Sequence, residues 1–204
     1  MRISFRLARG ARATAGLTVL SCVLAIPTGC GPSTLLAGSG MEVRPPSGWV
    51  EAPLDRWPVP GTPLAAWSGP TGESLVVSRS LPIPGGTAES VGRALTTRLS
   101  YLPGLSVVDR STATVAGRPA SRVEVVAPGT GDRLAPTGLG HPVAPEGRSL
   151  APTRRVTITI PRSGDTLALT WHAPESAAEK LAEAVEATLG TIRLGEDAPA
   201  SPAY

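Results

Sequence analysis

Short runs of apolar and β-branched residues, separated by Gly and Pro, recur through residues 47–194. Two of these runs, 105–115 and 118–126, flank Ala116-Gly117, where the glycine supplies the positive φ that a tight hairpin turn needs. A second hairpin is predicted over 155–172, because apolar and polar residues alternate on both sides of a Ser-Gly-Asp turn. Shorter runs predict further strands near 49–50, 63–67 and 73–81. The pattern therefore predicts an antiparallel sheet.

The hydrophobic period changes twice, and each change predicts an amphipathic helix. Within 87–102, apolar residues recur at intervals of three or four, and Thr87 is a suitable N-cap. The second helix begins near Pro174 and ends at Gly190. Its apolar stripe consists of Ala178, Leu181, Ala182, Val185 and Leu189.

These elements together predict the α+β class, with a single antiparallel β-sheet and helices packed on it. We expect the helix residues Leu95, Leu99, Leu181 and Val185 to be buried. The sheet residues expected beneath them are Val123, Val125, Ile158, Leu167 and Leu169.

The first residues of the chain have the layout of a secretory signal peptide. Four arginines precede an apolar stretch, Ala13–Ile26, and a small residue then precedes Cys30. This arrangement resembles a bacterial lipobox, in which the cysteine is lipidated and becomes the mature N-terminus. We therefore expect residues 1–29 to be a signal peptide and Cys30 to be the site of lipidation.

Other outcomes for this leader stay open. Pro27 stands where a lipobox usually carries Leu or another aliphatic residue, and Cys22 is a second candidate for lipidation. Ordinary cleavage near Ala37 or Gly38 would give a soluble, periplasmic or secreted protein. The apolar run could also remain as an uncleaved anchor, although it has about 14 residues and a spanning helix needs about 20.

The remaining chain divides by composition into four parts. Residues 30–46 are rich in Gly, Ser and Pro and are expected to form a flexible tether. The folded domain is expected at 47–194, with a Pro- and Gly-rich insertion at 128–152 that is either disordered or a binding loop. Residues 195–204 are expected to be a disordered tail.

The charge balance excludes an electrostatic nucleic-acid binder. The chain has 19 Lys and Arg against 16 Asp and Glu, and four of the arginines lie in the leader, which leaves 15 against 16. A nucleic-acid-binding domain would carry a basic face, and this balance does not supply one. Both cysteines, Cys22 and Cys30, belong to the leader region, so no disulfide is expected in the mature domain.

Several segments resemble the PsbP/Mog-type α/β sandwich superfamily, here as a bacterial lipoprotein member. The matching pieces are Pro46-Ser47-Gly48-Trp49, the helix around Val91–Leu99, the hairpin phrase 113–120, the segment 167–174, and Ile192-Arg193-Leu194. The resemblance implies an antiparallel sheet with helices packed on it. It implies no enzymatic activity, because the known members bind proteins or assist assembly.

The sequence offers few residues that could carry out catalysis. His141 and His172 lie in different elements, with no Cys, Asp or Glu at ligand spacing, so we expect neither a metal nor a cofactor. His172 is expected at the end of a strand, opposite Trp171, partly exposed or capping a helix. A Ser–His–Asp triad could still be assembled from a serine, His172 and Asp165, which keeps a hydrolase open as the alternative.

The tryptophans suggest where a partner could bind. Trp49 and Trp171 fall at strand positions and are expected to be core anchors, whereas Trp57 and Trp67 flank a series of prolines. An exposed aromatic and proline surface there would suit a protein partner. The favoured hypothesis is an exported, lipid-anchored, non-enzymatic binding or assembly module of the bacterial cell envelope. The anchor is expected in the cell membrane or the outer membrane, and the partner is expected to be an envelope protein. The alternative function is that of a secreted or anchored hydrolase.

Overall fold

The predicted runs form the regular elements of the computed structural model, which describes residues 31–54, 61–83, 85–102, 104–127 and 151–195. In chain order the elements are β1 (Thr34–Leu36), β2 (Met41–Val43), β3 (Val50–Glu51), β4 (Thr62–Ser68), β5 (Ser74–Ser80), α1 (Ala88–Ser100), β6 (Ser106–Val115), β7 (Arg118–Ala127), β8 (Thr153–Pro161), β9 (Thr166–Pro174), a 3-10 helix (Glu175–Ala177), α2 (Ala178–Leu189) and β10 (Arg193–Leu194). The predicted signal peptide, its Cys30 junction and most of the 128–152 insertion lie outside the described residues.

Seven of the described strands form one antiparallel sheet, in the order β3-β4-β5-β9-β8-β7-β6. Both predicted hairpins are confirmed, as β6–β7 and β8–β9. In the first, Ala116 (φ 48) and Gly117 (φ 79) occupy the two turn positions, and both are left-handed, as a type I′ turn requires. Alanine is strained there because its Cβ approaches the following carbonyl oxygen.

One face of this sheet forms the main core, beneath α2 and the strands β1, β2 and β10. Leu167, Leu169 and Trp171 alternate along β9 onto this face and are fully buried. Leu181 and Val185 of α2 pack in the same cluster, which confirms their predicted burial. Other fully buried members are Leu75, Val77, Ile158 and Ile160.

The opposite face of the sheet packs against α1. Leu99 of α1 is buried with Val123 and Val125 of β7, as predicted, and Leu95 is half-buried beside them. Thr87 caps the helix as predicted, because its hydroxyl accepts a hydrogen bond from a first-turn backbone N–H at 3.2 Å. Helices packed on antiparallel strands confirm the predicted α+β class. None of the described helices combines the length and the apolar character that a membrane crossing requires.

The prediction of a flexible tether at 30–46 is wrong for the residues that the structure describes. β1 pairs with β2, and β10 pairs with the other side of β2, so the fold contains a second, three-stranded sheet beside the expected one. Leu36, Met41 and Val43 of this small sheet are buried in the main core. The pattern missed these strands because each has only three residues, and the second partner of β2, β10, lies about 150 residues further along the chain.

Two arginines fasten the β1–β2 turn to the central sheet. Arg162 donates to the Ser39 carbonyl oxygen at 2.7 Å, and Arg79 donates to the Gly38 carbonyl oxygen at 2.7 Å. Arg162 is itself held by two hydrogen bonds to the buried Asp165 carboxylate, at 2.6 and 2.5 Å. The N-terminal segment is therefore fixed by charge-assisted hydrogen bonds as well as by its buried apolar side chains.

Candidate functional site

The structure removes Trp67 from the predicted partner surface. Trp67 lies in β4 opposite Leu75 of β5 and is only 5% exposed, within the main core. The nearby prolines had indicated a loop, but a register shift between Pro63 and Ala65 accommodates a proline within this strand. Trp57, the other predicted contact residue, lies outside the described residues.

The two tryptophans expected as core anchors differ in burial. Trp171 is fully buried in the main core, as predicted. Trp49 is half-buried and packs against the edge of the same cluster. Its indole lies near the Glu73 carboxylate, because a side chain added at Gly69 would meet both groups within 3 Å.

Glu73 is a buried carboxylate with a structural explanation. It accepts hydrogen bonds from the Thr71 backbone N–H at 3.0 Å and from the Thr71 hydroxyl. Burial alone would raise the pKa of Glu73, but these hydrogen bonds and the charge of Lys180 outweigh burial and hold the pKa below its ordinary value. Glu73 therefore stays ionised, and its bonds to Thr71 stabilise the β4–β5 turn. An ionised carboxylate cannot donate a proton, so Glu73 is not a candidate general acid.

A row of three buried polar side chains crosses the central strands on the α1 side of the sheet. Ser74 of β5 and Arg155 of β8 both lie opposite His172 of β9. The expectation that His172 is partly exposed or caps a helix is wrong, because β9 continues to Pro174 and this central strand is buried on both faces. Burial lowers the pKa of the Arg155 guanidinium to about 10.

This row does not form a hydrolytic triad within the described residues. Ser74 and His172 are cross-strand neighbours, but the Ser74 hydroxyl makes no hydrogen bond among those residues, whereas an activated serine needs a base within hydrogen-bond reach. Asp165 precedes the other end of β9, about 20 Å from His172 at the usual rise per strand residue. Its carboxylate instead pairs with Arg162.

The described residues also lack a converging metal-ligand set. No group of three or more His, Cys, Asp or Glu side chains in that part of the chain is placed to hold a metal ion. His141 lies outside the described residues.

The charged residues on the α2 side of the sheet form a network that joins elements together. Arg154 of β8 bonds Glu124 of β7 at 2.5 Å and Glu175 of the 3-10 helix at 2.6 Å, and Arg122 of β7 bonds Glu186 of α2 at 3.0 Å. The hydrogen bond from Arg154 lowers the pKa of Glu175 despite partial burial, and the same bond raises the pKa of Arg154. The network stabilises the docking of α2 and the 3-10 helix.

An exposed apolar segment follows β5. Leu81 is 86% exposed and Ile83 is 46% exposed, so both side chains face solvent next to Pro82. We call residues 81–83 the apolar turn. After it, the Gly86 N–H donates to the Ile83 carbonyl oxygen at 2.8 Å, and Gly85 adopts a positive φ of 64°.

The apolar turn lies at the same end of the sheet as Gly61 and Thr62, where β4 begins. Thr62 of β4 is opposite Arg79 of β5, and Gly61 is pressed so closely against the Arg79 carbonyl that an added side chain would stand 2.3 Å from its oxygen. The sequence already contained the signal for the apolar turn. Leu81 and Ile83 alternate with prolines just after a buried strand, so the strand ends there and leaves both side chains without a sheet to cover them.

Comparison with solved structures identifies the fold. The solution structure of cyanobacterial PsbP (CyanoP) from Synechocystis sp. PCC 6803 matches 87% of this chain and 99% of its own, with 13% identity and a TM-score of 0.54. The Ran-binding protein Mog1p of Saccharomyces cerevisiae matches 80% of this chain and 94% of its own, with 11% identity and a TM-score of 0.50. LpqN of Mycobacterium tuberculosis, which is involved in cell envelope biogenesis, matches 80% of this chain and 86% of its own, with 16% identity and a TM-score of 0.48.

The similarities to PsbP and Mog1p show that the chain has a PsbP/Mog-like fold, which confirms the resemblance found in the sequence. At these identities the likeness concerns the fold alone. No protein-family model matches the sequence, and no curated protein matches it.

Proposed function

We propose that this PsbP/Mog-like domain is an exported, lipid-anchored, non-enzymatic binding module of the bacterial cell envelope, and that it contacts its protein partner through the apolar turn. The observation that carries the binding role is the exposure of Leu81 and Ile83, two large apolar side chains close together at the end of β5. Neighbouring apolar side chains that are exposed at a surface are typical anchors of a protein interface. Trp57 remains part of the proposal as an additional contact residue.

The start of the folded body supports anchoring at Cys30. Ordinary cleavage near Ala37 or Gly38 would remove β1, together with Leu36, which is buried in the main core. Processing at Cys30 instead leaves every described element in place, since β1 begins at Thr34. The described fold therefore disfavours cleavage near Ala37 or Gly38 and is compatible with processing at Cys30.

The fold supports a binding role in a more general way. Mog1p, which shares this fold, is a Ran-binding protein, so the architecture is able to carry a protein-binding surface. The hydrolase alternative has no comparable support, because Ser74, His172 and Asp165 do not form a nucleophile–base–acid arrangement among the described residues.

A matched pair of surface variants tests the partner surface. The mature protein and its Leu81→Ser/Ile83→Ser variant are used to capture proteins from detergent-solubilised envelopes of the source cells, and captured partners are quantified by mass spectrometry. Val108→Ser is the control, because Val108 is a half-exposed apolar residue on the edge strand β6. Removing interface anchors weakens binding by about tenfold or more.

We expect at least one envelope protein to be captured by the wild type and the control, and to be lost with the double variant. Equal capture by all three proteins would contradict the assignment of the apolar turn. A hydrolytic activity of the purified domain that is abolished by His172→Ala would support the alternative function instead.

A further inference from the structure

Gly31, the residue after the proposed anchor, is held against the folded body. Gly31 donates its backbone N–H to the Pro45 carbonyl oxygen at 2.7 Å and packs close to the Pro45 ring. Two residues separate Gly31 from β1. A lipid on Cys30 would therefore be joined to a residue that is already part of the folded body.

Because residues 31–46 are folded, they cannot act as a flexible spacer between the lipid and the domain, and this shortens the distance between the two. A flexible tether over residues 31–46 would let the domain lie about 20–25 Å from its lipid on average. The hydrogen bond at Gly31 reduces this distance to about one residue, or about 3.5 Å of chain. Such a short connection holds the body close to the bilayer, so that the surface around Gly31 is the part nearest to the lipid.

The small sheet presents one exposed face at this point. Leu35, Glu42 and Arg193 lie side by side across β1, β2 and β10, while their neighbours Leu36 and Met41 point into the core. Leu35 is 73% exposed, although it is an apolar residue in the outermost strand. It lies about 13 Å along the chain from Gly31 at the usual strand rise.

This face has the composition of a lipid contact. Leu35 can enter the interfacial region, while Arg193 and the exposed Arg44 at the end of β2 can meet lipid phosphates. The only acidic side chain in the row, Glu42, accepts a hydrogen bond from the Ser33 hydroxyl. No described residue covers Leu35, and the anchor brings this face to the membrane.

We propose that the outer face of the small sheet, marked by Leu35 and Arg193, rests directly on the lipid surface. This inference rests on the proposed lipid anchor at Cys30. In this orientation α1 faces away from the membrane, because it packs on the opposite face of the central sheet. Tyr101, at the end of α1 and 81% exposed, then lies beyond the reach of the acyl chains.

Photo-crosslinking to lipid tests the orientation. The chain from Cys30 to Tyr204 retains every described element, and Cys30 is its only cysteine. This protein can be coupled through Cys30 to a maleimide lipid in vesicles of phosphatidylethanolamine and phosphatidylglycerol. The chemical coupling supplies the anchor, so the experiment does not depend on acylation by the cell. The variants Leu35→p-benzoylphenylalanine and Tyr101→p-benzoylphenylalanine carry the photoreactive group at two exposed positions without adding a thiol.

We expect lipid adducts from position 35 and a yield at least fivefold lower from position 101. A sixteen-residue Gly/Ser spacer inserted between Cys30 and Gly31 should reduce the yield at position 35 to that at position 101. Equal yields at both positions, or a yield at position 35 that the spacer leaves unchanged, would overturn the orientation. Because the lipid is attached chemically, these results are independent of whether the cell acylates Cys30, which the mass of the native protein decides.

Discussion

Leu35 and Leu36 are adjacent, identical in chemistry and opposite in environment, so they provide an internal comparison for the folded N-terminal segment. Leu36 is 3% exposed and belongs to the main core, whereas Leu35 is 73% exposed on the outer face of the small sheet. Truncating a buried leucine to alanine costs about 2–5 kcal/mol, as lost transfer free energy and a residual cavity. The same change at an exposed position stays within about 0.5 kcal/mol.

The free energy of unfolding of Leu36→Ala and Leu35→Ala is measured by urea denaturation, followed by the fluorescence of the buried Trp67 and Trp171. We expect a loss of about 2–5 kcal/mol for Leu36→Ala, equivalent to a fall in Tm of about 4–20 °C. Leu35→Ala should unfold like the wild type. Equal, small losses in both variants would mean that β1 does not dock and that residues 31–46 are the flexible tether after all.

Three further predictions concern local energetics. Ala116→Asn should stabilise the β6–β7 hairpin by about 1 kcal/mol, because asparagine tolerates the left-handed conformation better than alanine and Asn-Gly suits a type I′ turn; a loss measured in the same urea assay would argue against that turn. Leu181→Ala should cost about 2–5 kcal/mol, and a loss under about 0.5 kcal/mol would mean that α2 does not dock. Because the folded-state pKa of Glu175 is lowered, its ion pair with Arg154 stabilises the fold above the unfolded pKa, and this contribution is lost as pH falls through the folded pKa. Glu175→Gln should therefore lower the Tm at pH 7 and match the wild type in strong acid; a Tm difference that does not change with pH would contradict the pair.

The sequence predicted the parts of the fold that depend on local pattern. The β6–β7 turn and the capped α1 follow from a turn residue or a period within one segment, and both are confirmed. The period also predicted the apolar stripe of α2, where Leu181 and Val185 are buried as expected but Ala182 is exposed. Strands of three residues carry no such period. β1 and β2 are specified by packing of Leu36, Met41 and Val43 on a distant core and by the pairing of β2 with β10, and no local window contains these contacts.

The candidate site was harder to predict, because exposure is a property of the whole fold. Prolines near Trp67 suggested a loop, yet a register shift lets β4 carry that tryptophan into the core. The position of His172, opposite Trp171 at a strand end, predicted a partly exposed or helix-capping side chain, but a central strand has two buried faces. The apolar turn was visible in the sequence only as a strand end, and its exposure required the positions of the neighbouring strands.

The mass of the mature N-terminal peptide from native protein tests the account most directly. Gly31 is bonded to the folded body, and the proposed function requires a lipid on the residue before it. We predict an N-terminal Cys30 that carries acyl chains. A mature protein that begins near Gly38 without lipid would contradict the lipid-anchored account, and it would also have to fold without β1.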